Sequence, residues 1–316
     1  MATSKKQQLS LFGAVAIGVA SMLGAGVFFV WSAAYEVSDG AFFFALSLAA
    51  IVASLNAASV YRLASGISRA GGIYAYSRVY LPKSVSFVAG FSFVFGKIAS
   101  IAAIALIIQL YLVPHGSLVN PVAPNLLNEI HVSSLAVLFM TCLNLLGINR
   151  TALVAAILAS ITLCFLAFCV VAGLANGFNS DAITELSLRP SLNQGSLAGA
   201  ALIFFAFAGY ARVATLGDEV RDPKKNIPRA ILISLGIVII LYFLLAITVV
   251  GVIGSGNEAM PTATFEALLS RSAPWFSPAL IDAVVLAASL GSILALLAGV
   301  SRTAATMAED LELPKI

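Results

Sequence analysis

Long apolar runs separated by short polar connections make up most of this chain of 316 residues. A helix needs about 20 apolar residues to cross the hydrocarbon core of a bilayer. Eight segments qualify, and prolines avoid their interiors, as continuous helices require. The sequence therefore predicts eight transmembrane helices, at residues 11–34, 41–61, 87–112, 132–148, 152–174, 197–216, 230–253 and 278–300.

The composition supports a lipid environment. Hydrophobic residues make up 60% of the chain and charged residues 10%, whereas an ordinary soluble domain carries about 25% charged residues. So few charges cannot cover a water-facing surface, and the lipid bilayer must contact most of the exterior. No basic cluster with interleaved aromatic residues occurs, which argues against nucleic-acid binding. We predict an all-α polytopic membrane protein.

Lysines and arginines divide unequally between the two sets of connections. One set holds 13 of the 17 basic residues, the opposite set holds only Arg189 and Arg271, and Lys97 and Arg212 fall within spans. Cytoplasmic connections carry the excess of basic residues in membrane proteins. The asymmetry therefore predicts a multi-pass protein of the cell (cytoplasmic) membrane with both termini in the cytoplasm, in agreement with an even number of spans.

Sequence motifs of enzymes and of nucleotide-driven pumps are missing. The chain has no HExxH, Ser–His–Asp or Walker pattern. Its cysteines, Cys142, Cys164 and Cys169, lie inside apolar runs and are interpreted as packing residues. We predict no enzymatic activity, no metal site and no organic cofactor.

Two of the predicted helices carry glycines at mid-membrane depth. The first contains Met22-Leu-Gly24-Ala-Gly26, and the sixth contains Phe205-Ala-Phe-Ala-Gly209. Each glycine weakens a helix by about 1 kcal/mol, although close packing of small residues is an alternative explanation. Helices one and six would open two five-helix repeats, and interruptions at corresponding places indicate a transporter binding site. The freed amides attract a carboxylate and the freed carbonyls a cation, so two adjacent breaks suit a zwitterion.

Three motifs resemble the amino acid–polyamine–organocation transporter family. They are Met22-Leu-Gly-Ala-Gly-Val-Phe28, Arg69-Ala-Gly-Gly-Ile-Tyr-Ala-Tyr76, and Phe205-Ala-Phe-Ala-Gly209 followed by Glu219-Val-Arg-Asp-Pro-Lys-Lys-Asn-Ile-Pro-Arg-Ala230. The resemblance implies the LeuT-like inverted-repeat transporter fold with interrupted helices 1 and 6. Residues 1–316 would form one transmembrane domain, with repeat one at 11–174, a partial repeat two at 197–300, and a cytoplasmic segment at 301–316. The second repeat would be incomplete, because the chain ends before the expected ninth helix.

The same resemblance implies a substrate-binding site. The substrate carboxylate would meet the amides of Ala25 and Gly26, and the ammonium would meet the carbonyls of Met22, Phe205 and Ala208. Phe205 matches the aromatic residue that closes over the substrate. The other residues of the implied substrate-binding site are Ala206, whose side chain would border the pocket, and Gly24 and Gly209, the glycines at the two helix interruptions.

Two cations within the spans depart from the family pattern. Lys97 lies near the middle of the third predicted helix, where a lysine costs about 2.5 kcal/mol or more to insert. It lies too deep for easy snorkelling, so we expect it to face the site and either bind an anionic substrate group or supply a coupling charge. Arg212 follows Gly209 by about one turn and is expected to pair with Asp218 or Glu219 as a structural or gating contact.

Candidate coupling residues are hydroxyls in the fifth and eighth helices. Some proton-coupled relatives carry a lysine in the fifth helix, and the nearest position here is Thr162. A threonine hydroxyl cannot replace that lysine, so H⁺ coupling would need another charged group, such as Lys97. The alternative coupling ion is Na⁺, held by Thr162 together with Ser289 or Ser292. The alternative is that these hydroxyls bond their own helices.

The predicted function is secondary active transport of amino acids or related zwitterions, by symport or exchange. The alternatives are an amino-acid-binding sensor that does not transport and a fragment of a permease. Lys97 and Arg212 disfavour polyamines and favour a neutral or acidic amino acid.

Overall fold

The computed structural model describes residues 9–24, 26–38, 40–67, 69–112, 126–181, 183, 192–217, 219–254 and 260–314, with the side chains of 109–112 and 126–131 excepted. Within these ranges the regular secondary structure is helical, apart from one parallel bridge between Leu9 and Val220. The helices are α1 (Leu11–Met22), α2 (Gly26–Val37), α3 (Phe42–Gly66), α4 (Ile73–Tyr80), α5 (Lys83–Leu112), α6 (Leu126–Leu145), α7 (Ile148–Ala175), α8 (Gln194–Phe207), a 3₁₀ helix (Tyr210–Leu216), α9 (Pro223–Ile253), α10 (Thr264–Ser272) and α11 (Pro278–Glu309).

Among the described residues, six helical segments are long and apolar enough to cross a membrane. They are α3, α5, α7, α8 together with the 3₁₀ helix, α9 and α11. The helices α1 and α2 form a seventh span when they are counted as one helix bent by 45°. The prediction of a polytopic helical membrane protein is confirmed. The predicted span 132–148 coincides with a shorter apolar stretch, Val132–Leu145 of α6, so the count of eight stays a prediction.

Several helices extend beyond their predicted apolar segments. α9 begins at Pro223 instead of residue 230, and α11 continues to Glu309 instead of residue 300. Hydropathy marks the part of a helix that suits lipid, whereas capping residues set where the helix begins and ends. The residue at the N-cap of α9 is Asp222, which has a left-handed backbone conformation (φ 48°). Pro223 follows it, and proline is favoured at a first helical position.

The broken segments lie in the interior of the bundle. α1 packs against α7, α9, α11 and the 3₁₀ helix, while α8 packs against α2 and α3. On the other side α11 packs against α5 and α7. Bulky side chains such as Trp31, Phe42 and Tyr242 are fully buried between these helices. The long helices therefore enclose the points where the first and sixth predicted spans are interrupted.

A group of charged side chains fastens the end of α11 to α4 and the segment before it. Asp310 accepts hydrogen bonds from Arg69 (Nη2 to Oδ1, 2.8 Å) and from the Tyr74 hydroxyl (2.9 Å). Arg78 lies 3.5 Å from the same carboxylate and 3.3 Å from that of Glu312. The hydrogen bond from Arg69, helped by Tyr74, holds the pKa of Asp310 below its ordinary value of 3.8, against the opposing effect of its partial burial.

We expect Asp310→Asn to lower the stability of the protein at neutral pH. The substitution removes charge-assisted hydrogen bonds at a partly exposed site, which corresponds to about 1 kcal/mol. Because the folded-state pKa of Asp310 is depressed, the stabilisation is present above pH 3.8 and is lost as the pH falls through the folded value. Thermal unfolding in detergent over a pH series should show the two proteins converging at acidic pH.

A matched control is Glu36→Gln, which removes an exposed carboxylate without an ion pair among the described residues. It should leave the unfolding temperature unchanged. Equal stability of Asp310→Asn and wild type at pH 7 would contradict the assigned role of Asp310.

Candidate functional site

The first helix is interrupted where the glycines of the sequence predict a break. α1 ends at Met22, Leu23 closes it with an N–H···O bond to Val19 (2.8 Å), and α2 begins at Gly26. At Gly24 an added Cβ would lie 2.0 Å from the Ser292 hydroxyl oxygen. Only glycine allows α11 to approach the break this closely. Ala25, the other implied carboxylate ligand, lies outside the described residues.

The second interruption lies in the sixth predicted span. α8 ends at Phe207, the chain turns at Ala208 and Gly209, and it continues as a 3₁₀ helix. A Cβ on Gly209 would lie 2.4 Å from the backbone carbon and oxygen of Ser21. The turn therefore rests directly on the last turn of α1, backbone against backbone. A stretch of 3₁₀ helix inside a longer helix often marks a functional hinge.

Both interruptions border one partly open cavity, whose volume is about 460 Å³ when the solvent space at its opening is included. Eight of the nine predicted substrate-binding residues line it, and Ala25 is the one outside the described part of the chain. The lining residues are Ser21, Met22, Gly24, Gly26, Lys97, Ser100, Ile104, Phe205, Ala206, Ala208, Gly209, Ser292 and Leu296. The structure thus brings the predicted residues together, while their binding role stays a prediction.

Four lining residues were missed by the sequence reasoning. Ser100 and Ile104 follow Lys97 on one face of α5, at spacings of three and seven residues, and helical periodicity from Lys97 would have found them. Leu296 likewise follows Ser292 by one turn of α11. Ser21 precedes Met22 at the end of α1, and nothing in the pattern distinguished it.

Lys97 reaches the second interruption from the middle of α5. Its Nζ donates to the carbonyl oxygen of Ala208 at 3.4 Å and lies 5.9 Å from the ring centroid of Phe93. No carboxylate forms an ion pair with it among the described residues. The side chain therefore points into the bundle and does not extend to a polar helix end.

Phe205 lines the cavity, and 58% of the surface of this residue is accessible. Its role as the closing aromatic stays a prediction. Ala206, which precedes the turn, is buried.

Tyr242 of α9 is a site-forming residue that the sequence did not reveal. Its hydroxyl donates to the carbonyl of Met22 at 3.0 Å and lies 3.5 Å from that of Ala206. Its buried ring packs against Trp31 and Phe207. One hydroxyl thus joins the carbonyl ends of the two interrupted helices. A buried tyrosine hydroxyl needs a partner, but no sequence signal identifies one that is 220 positions away.

Arg212 is buried, with 1% of its surface accessible, and it does not line the cavity. Its guanidinium donates to the carbonyl of Ala295 through Nε and to the Thr215 hydroxyl through Nη1 (2.7 Å). The expected pairing with Glu219 is wrong, because that carboxylate binds Arg302 instead. The 3₁₀ helix places the guanidinium of Arg212 against α11 at Ala295. The alternative partner, Asp218, lies outside the described residues.

Two of the three candidate coupling hydroxyls bond within their own helices. Thr162 donates to the Leu158 carbonyl at 3.0 Å and Ser289 to the Val285 carbonyl at 2.7 Å. Ser292 instead donates across to the carbonyl of Ala20 at 3.2 Å. Of the three, Ser292 alone lines the cavity.

The helical bundle, with its candidate membrane spans and its partly open interior cavity, defines the class of multi-pass helical membrane proteins. Comparison with known sequences is more specific. A sequence model of the amino acid permease family matches residues 9–316. An uncharacterized transporter of Mycobacterium tuberculosis is 39% identical over 313 residues, covering 98% of this chain and 68% of the relative. The chain therefore belongs to the amino acid permease family, in the amino acid–polyamine–organocation superfamily.

More distant relatives include two vacuolar cationic amino acid transporters of Arabidopsis thaliana. Cationic amino acid transporter 4 is 30% identical over 306 residues, covering 92% of this chain and 51% of the relative. Cationic amino acid transporter 2 is 29% identical over 326 residues, covering 96% of this chain and 49% of the relative. The chain thus spans about half the length of these plant relatives. The family and the relatives are transporters, so the prediction that this protein is a permease and not an enzyme is confirmed.

We expect Gly209→Ala to destabilise the protein. The new Cβ would meet the Ser21 backbone at 2.4 Å, and a backbone cannot rotate away as a side chain can. Overpacking of this kind costs about 1–3 kcal/mol. The unfolding temperature and the yield of monodisperse protein in detergent should both fall.

Gly236→Ala on α9 is the matched control, because a Cβ there meets nothing within 4 Å and alanine favours a helix. It should be neutral or slightly stabilising. If Gly209→Ala were as stable as Gly236→Ala, the two interruptions would not be in contact.

Proposed function

We propose that this protein is a secondary active transporter of amino acids or related zwitterions, working by symport or exchange through alternating access. The observation that carries the proposal is the single cavity at which both interrupted helices meet. In transporters built from repeats, such interruptions place helix ends at the substrate. The location we propose is the cell membrane, with both termini in the cytoplasm.

The proposed binding mode divides a zwitterion between the helix ends. Its carboxylate would face the amino-terminal end of α2 at Gly26, where amides and the helix dipole favour negative charge. Its ammonium would face the carbonyls of Met22, Phe205 and Ala208. Because Tyr242 already donates to Met22, this hydroxyl would fix the orientation of the carbonyl while leaving its second lone pair to the substrate.

The proposed fold is the LeuT-like inverted repeat with eight spans in a single domain. Supporting observations are the interruptions in the first and sixth predicted spans and the direct contact between them at Gly209 and Ser21. The repeats would cover residues 11–174 and 197–300. Rocking of one repeat against the other would then expose the cavity alternately to each side.

Two coupling schemes fit the cavity. Sodium is held in such transporters by unwound backbone carbonyls and nearby oxygens, and the Ser292 hydroxyl and Ala20 carbonyl are two such oxygens 3.2 Å apart. Proton coupling would instead use Lys97, the ionisable side chain that lines the cavity. Thr162 and Ser289 are less suited, because their hydroxyls are engaged within their own helices.

The test is uptake of a labelled amino-acid panel into liposomes that carry the purified chain. Gradients of protons or sodium are imposed separately, and a third condition supplies unlabelled amino acid inside for exchange. We expect saturable uptake that follows one gradient or the internal amino acid, since either would drive the cycle. Protein-free liposomes with the same gradients provide the control.

Absence of uptake in every condition, by a folded protein that still binds amino acid, would contradict the proposal. That result would instead indicate an amino-acid-binding protein that does not transport.

A further inference from the structure

The charge of the cavity constrains its ligand beyond the general class of amino acids. Lys97 is the one residue with an ionisable side chain among the lining residues, and no aspartate or glutamate of the described chain lines the cavity. The other polar groups there are the hydroxyls of Ser21, Ser100 and Ser292 and the backbone groups at the helix interruptions. The cavity therefore carries a net positive charge when Lys97 is protonated.

The contacts of Lys97 leave this charge without a counter-ion. Its Nζ has a neutral carbonyl at 3.4 Å and a phenyl ring at 5.9 Å, and both are weak partners for an ammonium. Cations within membrane segments pair with an opposite charge or with backbone carbonyls, and Lys97 has only the carbonyl, at the long end of hydrogen-bond distance. Arg212, the second cation in this part of the bundle, adds electrostatic repulsion. The position beside Lys97 is thus the place where an anionic group gains most.

The position of Nζ also changes what the second interruption can bind. Lys97 donates to the carbonyl of Ala208, one of the carbonyls assigned above to the substrate ammonium. A substrate ammonium would lie beside a like charge there. The carbonyl of Met22, which accepts from Tyr242 and has no bond to Lys97, is then the better partner for the ammonium, and a side-chain group of the substrate is left to face Lys97.

The three charge classes of amino acid therefore differ in this cavity. A cationic amino acid brings a second positive charge close to Lys97 in a medium of low dielectric constant, which is repulsive. A neutral zwitterion whose one carboxylate faces Gly26, as proposed above, leaves Lys97 without a counter-ion. An acidic amino acid brings one additional carboxylate and neutralises it.

We infer that the cavity selects an amino acid with a side-chain carboxylate, which pairs with Lys97 beside the Ala208 carbonyl; the inference rests on the proposed transport function. This substrate class differs from the one in the names of the plant relatives, which are called cationic amino acid transporters. The positive charge of Lys97 disfavours a cationic ligand in this cavity.

The experiment measures binding of tritiated L-glutamate, L-alanine and L-lysine to the purified full chain in detergent. The variants are Lys97→Met, which removes the charge at similar length, and Lys97→Arg, which retains it. Lys83→Met is the matched control, because Lys83 is an exposed lysine at the start of the same helix. Thermal unfolding of each protein establishes that it is folded.

Wild type should bind L-glutamate at least about ten-fold more tightly than L-alanine, and L-lysine least, since the side-chain carboxylate pairs with a partly buried lysine that otherwise has only a carbonyl partner. Lys97→Met should lose that preference by weakening glutamate binding and sparing alanine. Lys97→Arg and Lys83→Met should keep it. If Lys97→Met does not fold, the ligand preferences of wild type and Lys97→Arg still decide the question.

The outcomes separate this inference from the proposed function. Binding of alanine or lysine at least as tightly as glutamate by wild type overturns the inference and leaves an amino acid permease. A glutamate preference that survives in Lys97→Met also overturns it. No binding of any amino acid by the folded protein overturns the inference together with the proposed function.

Discussion

Interrupting a helix inside a membrane frees backbone groups that lipid cannot satisfy, and this constraint organises the centre of the molecule. The two interruptions lie against each other, so that Gly209 rests on the backbone of Ser21 and Gly24 accommodates Ser292. Tyr242 then donates to the carbonyl at the end of α1 and lies close to one near the end of α8. The groups left facing the cavity are those available to a ligand. The proposed binding site is thus a consequence of the way in which the broken helices are stabilised.

The two cations of the interior meet the same constraint in different ways. Arg212 donates to the carbonyl of Ala295 and to Thr215, away from the cavity, as a buried arginine in a structural role does. Lys97 has only the Ala208 carbonyl and a phenyl ring, and it borders the cavity. Burial without a counter-ion is costly for either residue, but only Lys97 is placed where a ligand can supply one.

The parts of the fold that sequence predicts are those encoded locally. Glycines and apolar length indicated most of the spans, both interruptions and the position of Lys97 near the middle of α5, because each depends on neighbours within a few turns. Contacts between distant segments were not predictable in this way. Tyr242 donates to a carbonyl 220 positions away. Arg302 donates to the carboxylate of Glu219, which is 83 positions away and was the partner expected for Arg212. Many carboxylates and carbonyls are equivalent in sequence, and only packing selects among them.

The most direct test of the central claim is an experimental structure of the chain in a lipid nanodisc at saturating amino acid. The account predicts density for the ligand between the turn at Ala208 and Gly209 and the interruption before Gly26, within reach of Lys97 and of the Met22 carbonyl. Continuous helices through either interruption, or ligand density elsewhere in the bundle, would contradict it.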